Sequence, residues 1–187
     1  SEMRALRAQI NPHFLYNSLS LINWKAIEYG QDDISGITLA LSNYYRTSLN
    51  KGKNTLTVKQ ELSNMESYLN IQQIMHDNSF DVVMDIDENV LEYESLNLIL
   101  QPLVENAIEH GIDLLTDRRG VITVAAKLYN GLIHIEVKDN GIGMPKETAH
   151  IFLTSASGGY GARNVNDRIR LFYGEQYNLK VSSDENG

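Results

Sequence analysis

The segment "VKDNGIGMP" (137–145) follows a predicted strand and has residue types that suit a ligand-binding turn. Gly141 and Gly143 can adopt positive φ and let a ligand approach the backbone closely. Asp139, at the end of the strand, can accept a hydrogen bond from an amino group. The pattern D-x-G-x-G is weak evidence by itself, because many tight turns share it.

A second segment, "GGYGARNVNDRI" (158–169), places glycines directly before a predicted helix. Free N–H groups and the helix dipole favour a bound phosphate at such an N-terminus. Within this helix, Arg168 either approaches phosphate or braces the helix, and we favour bracing. Glycine-rich turns before helices are common, so this pattern is also weak alone.

The helical segment "LVENAIEHG" (103–111) carries four polar side chains within two turns. Residues four apart are neighbours on one helix face, so Glu105 pairs with Glu109 and Asn106 pairs with His110. Such residues usually form a solvated face. The segment alone therefore favours neither a functional nor a purely structural interpretation.

Asn11 and Pro12 directly precede His13 inside a run with helical spacing. Asn11 suits an N-cap and Pro12 suits the first helical position, so we expect the helix to bend or restart here. A neutral imidazole nitrogen is a competent phosphoryl acceptor, and Asn17, one turn later, could orient the ring or a water. A lone histidine more often has no chemical role, so this hypothesis depends on an ATP site elsewhere in the chain.

These side chains must be positioned by a helical first half and a mixed second half. Helical spacing predicts helices over residues 3–29 and 34–49, and a capping-box pattern from Thr57 to Gln60 starts a third helix that ends near His76. The chain splits near residue 77, which predicts two regions, 1–76 and 77–187.

The second region is predicted to be α+β. Asn130-Gly131 between two alternating runs is a hairpin signal. The remaining predicted elements are a strand over 80–87, helices over 94–111, 146–152 and 162–174, and a last strand over 177–183.

Composition excludes several function classes. The net charge of −8 argues against a non-specific nucleic-acid or anionic-membrane surface. The chain has no cysteine, which removes disulfides and thiolate metal sites.

We predict no zinc site, because no histidine pair has metal-ligand spacing with supporting acids. His76 and His150 are expected at the surface, and His134 is expected in a strand, where it packs or faces solvent. No window approaches the ~20 apolar residues of a membrane span, and the first residue is Ser, which suggests an excised fragment.

The ordered combination of E-N-x-x-x-H-G, D-x-G-x-G and G-x-G-x-x-N resembles the GHKL ATP-binding domain shared by gyrase, the heat-shock chaperone, histidine kinases and MutL-type ATPases. No P-loop or Rossmann fingerprint is present. The resemblance covers about residues 77–187 and implies an α/β sandwich of the Bergerat type. It implies that Asp139, with Gly141 and Gly143, binds the adenine of ATP.

The same resemblance implies that Asn106 binds Mg²⁺ and that Glu105 is the catalytic acid or base. One amide oxygen plus the nucleotide phosphates is chemically sufficient for Mg²⁺, which keeps most of its waters. His110 is a candidate phosphate contact, although a local structural role is favoured. The phosphate-facing end of the ATP lid corresponds to Gly159, Gly161 and Asn164. The family closes with another glycine turn and strand, whereas this sequence stops at "SSDENG", so we expect that strand to be missing.

The stretch "LRAQINPHFLYNSL" closely resembles the phosphoacceptor box of sensor histidine kinases of the LytS/YesM-like subgroup. That resemblance implies autophosphorylation of His13, a supporting role for Asn17, and transfer of the phosphate to a response-regulator partner. Phe14 follows the histidine, where the commoner histidine-kinase pattern has an acidic residue, so the proton acceptor is not identified. Met75 stands where the subgroup more often has Arg.

Two helices alone cannot bury their apolar faces well, whereas a dimer that forms a four-helix bundle can. The stripe of Leu6, Ile10, Phe14, Leu21 and Ile22 therefore predicts a homodimer through residues 3–49, with His13 facing outward. The whole chain is expected to be the cytoplasmic catalytic core of an integral membrane protein. Its attachment to the membrane is expected only through N-terminal segments that are absent from this sequence. The alternatives are a GHKL-fold ATPase or ATP-gated dimerisation switch, and a Ser/Thr kinase of the anti-sigma-factor type.

Overall fold

The computed structural model describes residues 11–49, 53–154 and 160–187. Its α-helices are α1 (Pro12–Glu28), α2 (Asp32–Ser48), α3 (Val58–Met75), α4 (Leu100–Asn106), α5 (Lys146–Ile151) and α6 (Tyr160–Tyr173). Its strands are β1 (Thr55–Thr57), β2 (Phe80–Ile86), β3 (Glu94–Leu96), β4 (Gly120–Tyr129) and β5 (Leu132–Asp139). No helix in these ranges is both long and apolar enough to cross a membrane.

Helix α1 begins where the sequence predicts a start. The side chain of Asn11 accepts hydrogen bonds from the backbone N–H of His13 (3.1 Å) and Phe14 (3.2 Å). Pro12 fills the first helical position, where no N–H is needed. The residues before Asn11, with Leu6 and Ile10 of the predicted stripe, lie outside the described residues, and so does the predicted bend.

Helix α3 confirms the capping-box prediction. The Thr57 hydroxyl accepts the Gln60 N–H (3.1 Å), and the Gln60 side chain accepts the Thr57 N–H (3.0 Å). Helix α3 ends at Met75 with His76 as its C-terminal cap, close to the predicted end, and Asp77 and Asn78 follow with φ of 52° and 53°. Two consecutive left-handed residues cannot continue a helix, so the chain turns here into β2.

The predicted helix over 94–111 is wrong at its start. Residues 94–96 form β3, which pairs antiparallel with β1, so that Thr55 lies opposite Leu96 and Thr57 opposite Glu94. Leu98 then adopts a φ of 54°, which prevents a helix from crossing this point. After α4, the chain continues through a π-helical turn (Ala107–Gly111) and a short 3₁₀ turn (Ile112–Leu114). Local spacing could not reveal β3, because its partner strand lies about forty residues earlier.

The main sheet has the strand order β2-β4-β5. Strand β4 runs parallel to β2 and antiparallel to β5. The turn between β4 and β5 confirms the hairpin prediction, because Asn130 and Gly131 have φ of 50° and 77°. Both values are those of a two-residue hairpin with two left-handed positions.

Replacement of Gly131 by Ala should lower the free energy of unfolding by about 1–2 kcal/mol, since a β-carbon there is strained by the positive φ although it meets no atom within 4 Å. Gly36 in α2 is the matched control: a β-carbon there also meets nothing within 4 Å, and its φ is not positive. Gly36→Ala should raise the free energy of unfolding by about 0.5–1 kcal/mol. Denaturant titration of both variants measures the difference, and effects of the same sign would contradict the turn geometry.

The predicted last strand over 177–183 is wrong. Residues 177–183 lie in no sheet, and side chains satisfy part of this backbone instead. The Leu179 N–H donates to the side chain of Asn166 (2.8 Å), and the Ser183 hydroxyl accepts the Met144 N–H (2.9 Å). The alternation of apolar residues was therefore not sufficient to form a strand without a neighbouring edge.

One apolar core joins α3 to the sheet and α4. The buried side chains of Leu62, Met65 and Leu69 from α3 pack with those of Phe80 and Val104. Strand β1 lies before residue 77 and its partner β3 lies after it, so their pairing also connects the two predicted regions. The division into 1–76 and 77–187 stays a prediction, and in this structure α3 packs with the second region.

Candidate functional site

His13 is exposed in the first turn of α1. Its Nδ1 lies 3.3 Å from the side-chain amide nitrogen of Asn17, one turn further on. Phe14, the next residue, is 72% exposed and contributes no acid or base. The predicted pair of His13 and Asn17 is thus brought together, with one ring nitrogen beside Asn17 and the imidazole open to solvent.

Helices α1 and α2, the helix pair, meet α4 near Glu105. The Gln101 amide donates to the Glu105 carboxylate (2.7 Å), and the Tyr44 hydroxyl donates to the Gln101 amide oxygen (2.8 Å). Next to Tyr44, the Tyr45 carbonyl accepts the hydroxyl of Tyr16 (3.3 Å), which lies one turn after His13. This chain of contacts brings the first turn of α1 and helix α4 to the same end of the helix pair.

Asn106 ends α4 with a half-buried side chain. Among the buried side-chain nitrogen and oxygen atoms of the described residues, the amide nitrogen of Asn106 is the one that has no hydrogen-bond partner. An unpaired buried polar group costs about 1–3 kcal/mol unless a ligand satisfies it. His110, four residues later, is exposed at the end of the π-helical turn. The side chain of Asn106 is therefore available to a bound group.

A glycine-lined cradle surrounds Asp139 at the end of β5. The Gly141 N–H donates to Oδ1 of Asp139 (2.8 Å). A β-carbon on Gly111 or on Gly141 would lie 2.5 Å from the same oxygen. Burial raises the pKa of the Asp139 carboxyl, and the Gly141 N–H opposes that shift. Gly111 closes the E-N-x-x-x-H-G pattern, but sequence reasoning gave it no role, because its contact is with residues thirty positions away.

Two polar side chains hold the turn after Asp139. Arg118 donates to the carbonyls of Asn140 (2.9 Å) and Gly141 (2.7 Å). The Asn140 side chain accepts the Val121 N–H (2.6 Å) and donates to the Arg119 carbonyl (2.9 Å). Sequence reasoning missed Arg118, because nothing in its local sequence indicates that it reaches this turn.

The predicted lid residues are only partly brought to the site. Gly161 is close to Pro102 of α4, because a β-carbon there would lie 3.1 Å from the Pro102 β-carbon. Its observed role is thus close packing between α6 and α4. Asn164 is exposed, and Gly159 lies outside the described residues. Gly143, which was predicted to bind adenine with Asp139, is in contact with the backbone of Asp184.

Arg168 lies on the backbone at the start of α4, which agrees with the bracing role. Its guanidinium donates to the carbonyls of Asn97 (2.7 Å) and Leu98 (3.4 Å). Glu61, which is 1% exposed, accepts backbone N–H groups of the same turn. Sequence reasoning missed Glu61, since it reads as one of many polar residues of a helix.

Three further histidines lie outside this site. The expectation that His76 is a surface residue is wrong: it is half-buried, and its ring nitrogens lie 2.8 Å from the Gln72 carbonyl and 2.9 Å from the Asp113 carboxylate. His134 is exposed and packs edge-on against Tyr129, and His150 is exposed. The described residues contain no group of three or more His, Asp or Glu side chains that could hold a metal ion.

The donor set fits a magnesium nucleotide better than a free metal ion. The unpaired amide nitrogen of Asn106 is a donor that suits an acceptor such as a phosphate oxygen, and only the amide oxygen of this side chain suits a metal ion. The second oxygen of Asp139 has no hydrogen bond within the described residues. An oxygen ligand and waters suit Mg²⁺. The carboxylate of Asp139 suits an amino group such as that of adenine. Gly111 and Gly141 pack closely against this carboxylate and against each other.

Two protein families match the chain. Residues 1–80 match the family described as "Histidine kinase", and residues 92–187 match the family described as "Histidine kinase-, DNA gyrase B-, and HSP90-like ATPase". A solved structure, the histidine kinase domain of a blue-light activated histidine kinase from Erythrobacter litoralis, is similar in fold with a TM-score of 0.54 and 18% identity. The match covers 94% of this chain and 91% of that one, which confirms the predicted fold class.

Curated relatives cover the chain almost completely. It is 37% identical over 184 residues to the sensor histidine kinase YesM of Bacillus subtilis, which covers 98% of this chain and 31% of that protein. It is 33% identical over 193 residues to the sensor protein LytS of Staphylococcus saprophyticus, covering 100% of this chain and 32% of that protein. The chain therefore spans about a third of the length of these relatives.

Proposed function

Because this chain belongs to the sensor histidine kinases, we propose that it is a catalytic core that binds ATP over residues 77–187 and transfers the terminal phosphoryl group to His13. The observation that carries this proposal is the exposed imidazole of His13. Asn17 lies at Nδ1, and the ring is open to an incoming group. The chain of contacts from Tyr16 to Glu105 supports it, since the first turn of α1 and the helix with Glu105 lie at one end of the helix pair.

In the proposed reaction, an unprotonated imidazole nitrogen of His13 attacks the γ-phosphorus of ATP. A P–N bond forms, the P–O bond to the β-phosphate breaks, and ADP leaves. Asn17 orients the ring through its amide, and Glu105, fixed by Gln101, orients the reactants or accepts the imidazole proton. Positioning and charge stabilisation account for most of the rate in phosphoryl transfer.

The substrate is held by residues at two places. Asp139 accepts the adenine amino group at the glycine-lined cradle, where a side chain at position 111 or 141 would meet the carboxylate. The side chain of Asn106 would hold Mg²⁺, which when bound neutralises charge on the phosphate oxygens. With a chain charge of −8, bulk electrostatics cannot supply this neutralisation.

The phosphoryl group then passes from His13 to an aspartate of a response-regulator partner. Phosphohistidine is a high-energy donor, and an exposed acceptor histidine is accessible to a second protein. The partner approaches α1 from the solvent side. The signal that regulates the kinase would act on the helix pair from segments outside this chain.

The experiment that tests the function is incubation with ATP labelled at the γ-phosphate. Label should accumulate on the chain in a form that acid removes and base preserves, as expected of a phosphoramidate. Release of free labelled phosphate with no labelled chain would instead indicate a GHKL-fold ATPase. Label on the serine of another protein would indicate a Ser/Thr kinase of the anti-sigma-factor type.

A homodimer through the helix pair follows from the exposed apolar side chains of α1. Leu21 is 61% exposed and Trp24 is 71% exposed, although both are large and apolar. A patch of this kind on neighbouring turns indicates an interface rather than a solvated face. The pairing of two such hairpins gives the proposed four-helix bundle.

Leu21→Asp should convert the dimer to a monomer, because a carboxylate in a buried helix–helix interface is strongly unfavourable. Sedimentation equilibrium should show the dissociation constant rising at least about 100-fold. Leu171→Asp is the control: Leu171 on α6 is 90% exposed and lies outside the helix pair, so the dimer should persist. Equal dissociation by both substitutions, or by neither, would contradict the proposed interface.

A further inference from the structure

Glu61 is a buried carboxylate of α3 that none of the preceding chemistry uses. Its two oxygens accept the backbone N–H groups of Leu98 (2.9 Å), Ile99 (2.8 Å) and Leu100 (3.1 Å). These N–H groups open α4 and have no partner inside the helix, and Ile99 at the cap position has no side chain that could serve them. A residue from another helix therefore caps the helix that carries Glu105 and Asn106.

The capped turn is held from its other side by a cation. Arg168 of α6 donates to the carbonyls of Asn97 and Leu98. Between the two charges, Leu98 has a φ of 54°, a conformation that a branched side chain adopts only when its surroundings impose it. Burial raises the pKa of the Glu61 carboxyl, opposed by the three N–H groups and by Arg168. The turn is thus set by contacts from α3 and α6 and not by its own sequence.

Helix α3 also contacts the middle and the end of the segment that Glu61 starts. Burial and the nearby Glu105 carboxylate raise the pKa of the Tyr68 hydroxyl. At the C-terminal cap of α3, His76 lies 2.9 Å from Asp113, which follows the π-helical turn. Helix α3 therefore runs along the whole ATP-site segment.

On a neighbouring part of its surface, α3 is hydrogen-bonded to α2. The Thr47 hydroxyl donates to the buried side chain of Asn64 (2.6 Å), and the Asn43 amide donates to the Ser67 hydroxyl (2.7 Å). A displacement of α2 would therefore be transmitted to α3 and, through Glu61, to the first turn of α4.

We propose that Glu61 is a positioning residue that fixes α4 in the register required for nucleotide binding and phosphoryl transfer, and that it couples the helix pair to the ATP site. The proposal rests on the proposed kinase function. Glu61 touches neither nucleotide nor His13; it acts through the backbone of Leu98, Ile99 and Leu100, and hence on Glu105 and Asn106.

The test is Glu61→Gln, which keeps the shape of the side chain but turns one acceptor oxygen into a donor that faces N–H groups. The variant should stay folded, with amide hydrogens of Leu98–Leu100 exchanging at least about tenfold faster. Its autophosphorylation rate at saturating ATP should fall by about 10- to 100-fold, and its affinity for ADP with Mg²⁺ should fall as well.

Glu66→Gln is the matched control, because Glu66 lies on the exposed face of the same helix. It should behave as the wild type in every measurement. The proposal is overturned if folded Glu61→Gln binds ADP and phosphorylates like the control. It is also overturned if the autophosphorylation rate of Glu61→Gln falls only in proportion to the fraction of the protein that is folded, since a purely structural role predicts that result.

Should Glu61→Gln fail to fold, hydrogen exchange of the wild type decides. Coupling is reciprocal, so ADP with Mg²⁺ should slow exchange at Leu98–Leu100, and unchanged exchange there would overturn the proposal. Failure of the kinase function itself is recognised separately. In that case the wild type and Glu66→Gln would also incorporate no label, whereas faster exchange in Glu61→Gln would still report the lost cap.

Discussion

His13→Gln should eliminate phosphoryl incorporation into the chain, with the rate reduced at least about a thousandfold, as when a nucleophile is removed from an enzyme. Glutamine keeps a polar side chain of similar length but offers no nucleophilic nitrogen. His13 is exposed and carries no packing role, so the variant should fold and bind ATP with unchanged affinity. Label incorporation and nucleotide titration on the same preparation measure the two effects.

His134→Gln is the matched control for this substitution. His134 is also exposed and lies on β5, where its ring packs edge-on against the ring of Tyr129. Incorporation should remain at the level of the wild type. Persistence of acid-labile label in His13→Gln would show that another residue accepts the phosphoryl group.

Asp139→Asn should weaken ATP binding by about 10- to 100-fold, the value of a charge-assisted hydrogen bond. Asp139 has two acceptor oxygens, one of which already accepts the Gly141 N–H. Asparagine has a single acceptor oxygen, so it can serve the Gly141 N–H or the adenine amino group but not both. Isothermal titration with ATP and Mg²⁺ measures the loss.

The control is Asp85→Asn on the same sheet. Asp85 is exposed, and its carboxylate lies 2.6 Å from the Lys127 ammonium group. The Asp85→Asn variant should therefore bind nucleotide with unchanged affinity. GTP offers a carbonyl where ATP offers an amino group, and it should bind weakly to the wild type. If Asp139→Asn bound ATP as tightly as Asp85→Asn does, adenine recognition by Asp139 would be excluded.

Local signals predicted the elements whose stability is local. The capping box of Thr57 and Gln60, the N-cap of Asn11 and the turn at Asn130-Gly131 each depend on residues within a few positions, and the structure confirms all three. The types of β4 and β5 were predicted correctly for the same reason, since both alternate around that turn.

The errors arose where a distant partner decides the structure. Residues 94–96 are a strand because β1 supplies the ladder, and 177–183 are not a strand because no edge pairs with them in the described chain. Glu61 and Arg118 act on turns that lie 37 and 23 residues away, respectively. A single sequence gives spacing within an element but not the contacts between elements.

The candidate site is a prediction that depends on the order of its motifs and not on any one of them. His13 with Asn17 and Asp139 with Gly141 lie as the motifs require. Gly161 instead packs α6 onto α4, since its neighbour is Pro102 rather than an open phosphate site. Motif order predicts the class of ligand, whereas the roles of individual glycines depend on packing.

The most direct measurement is the location of the phosphate on the chain after incubation with ATP and Mg²⁺. Tandem mass spectrometry at neutral pH, with fragmentation that preserves the P–N bond, can assign it to one residue. A single phosphate on the imidazole of His13 is the expected result. Phosphate on any other residue, or ATP turnover that leaves the chain unmodified, would contradict phosphoryl transfer to His13.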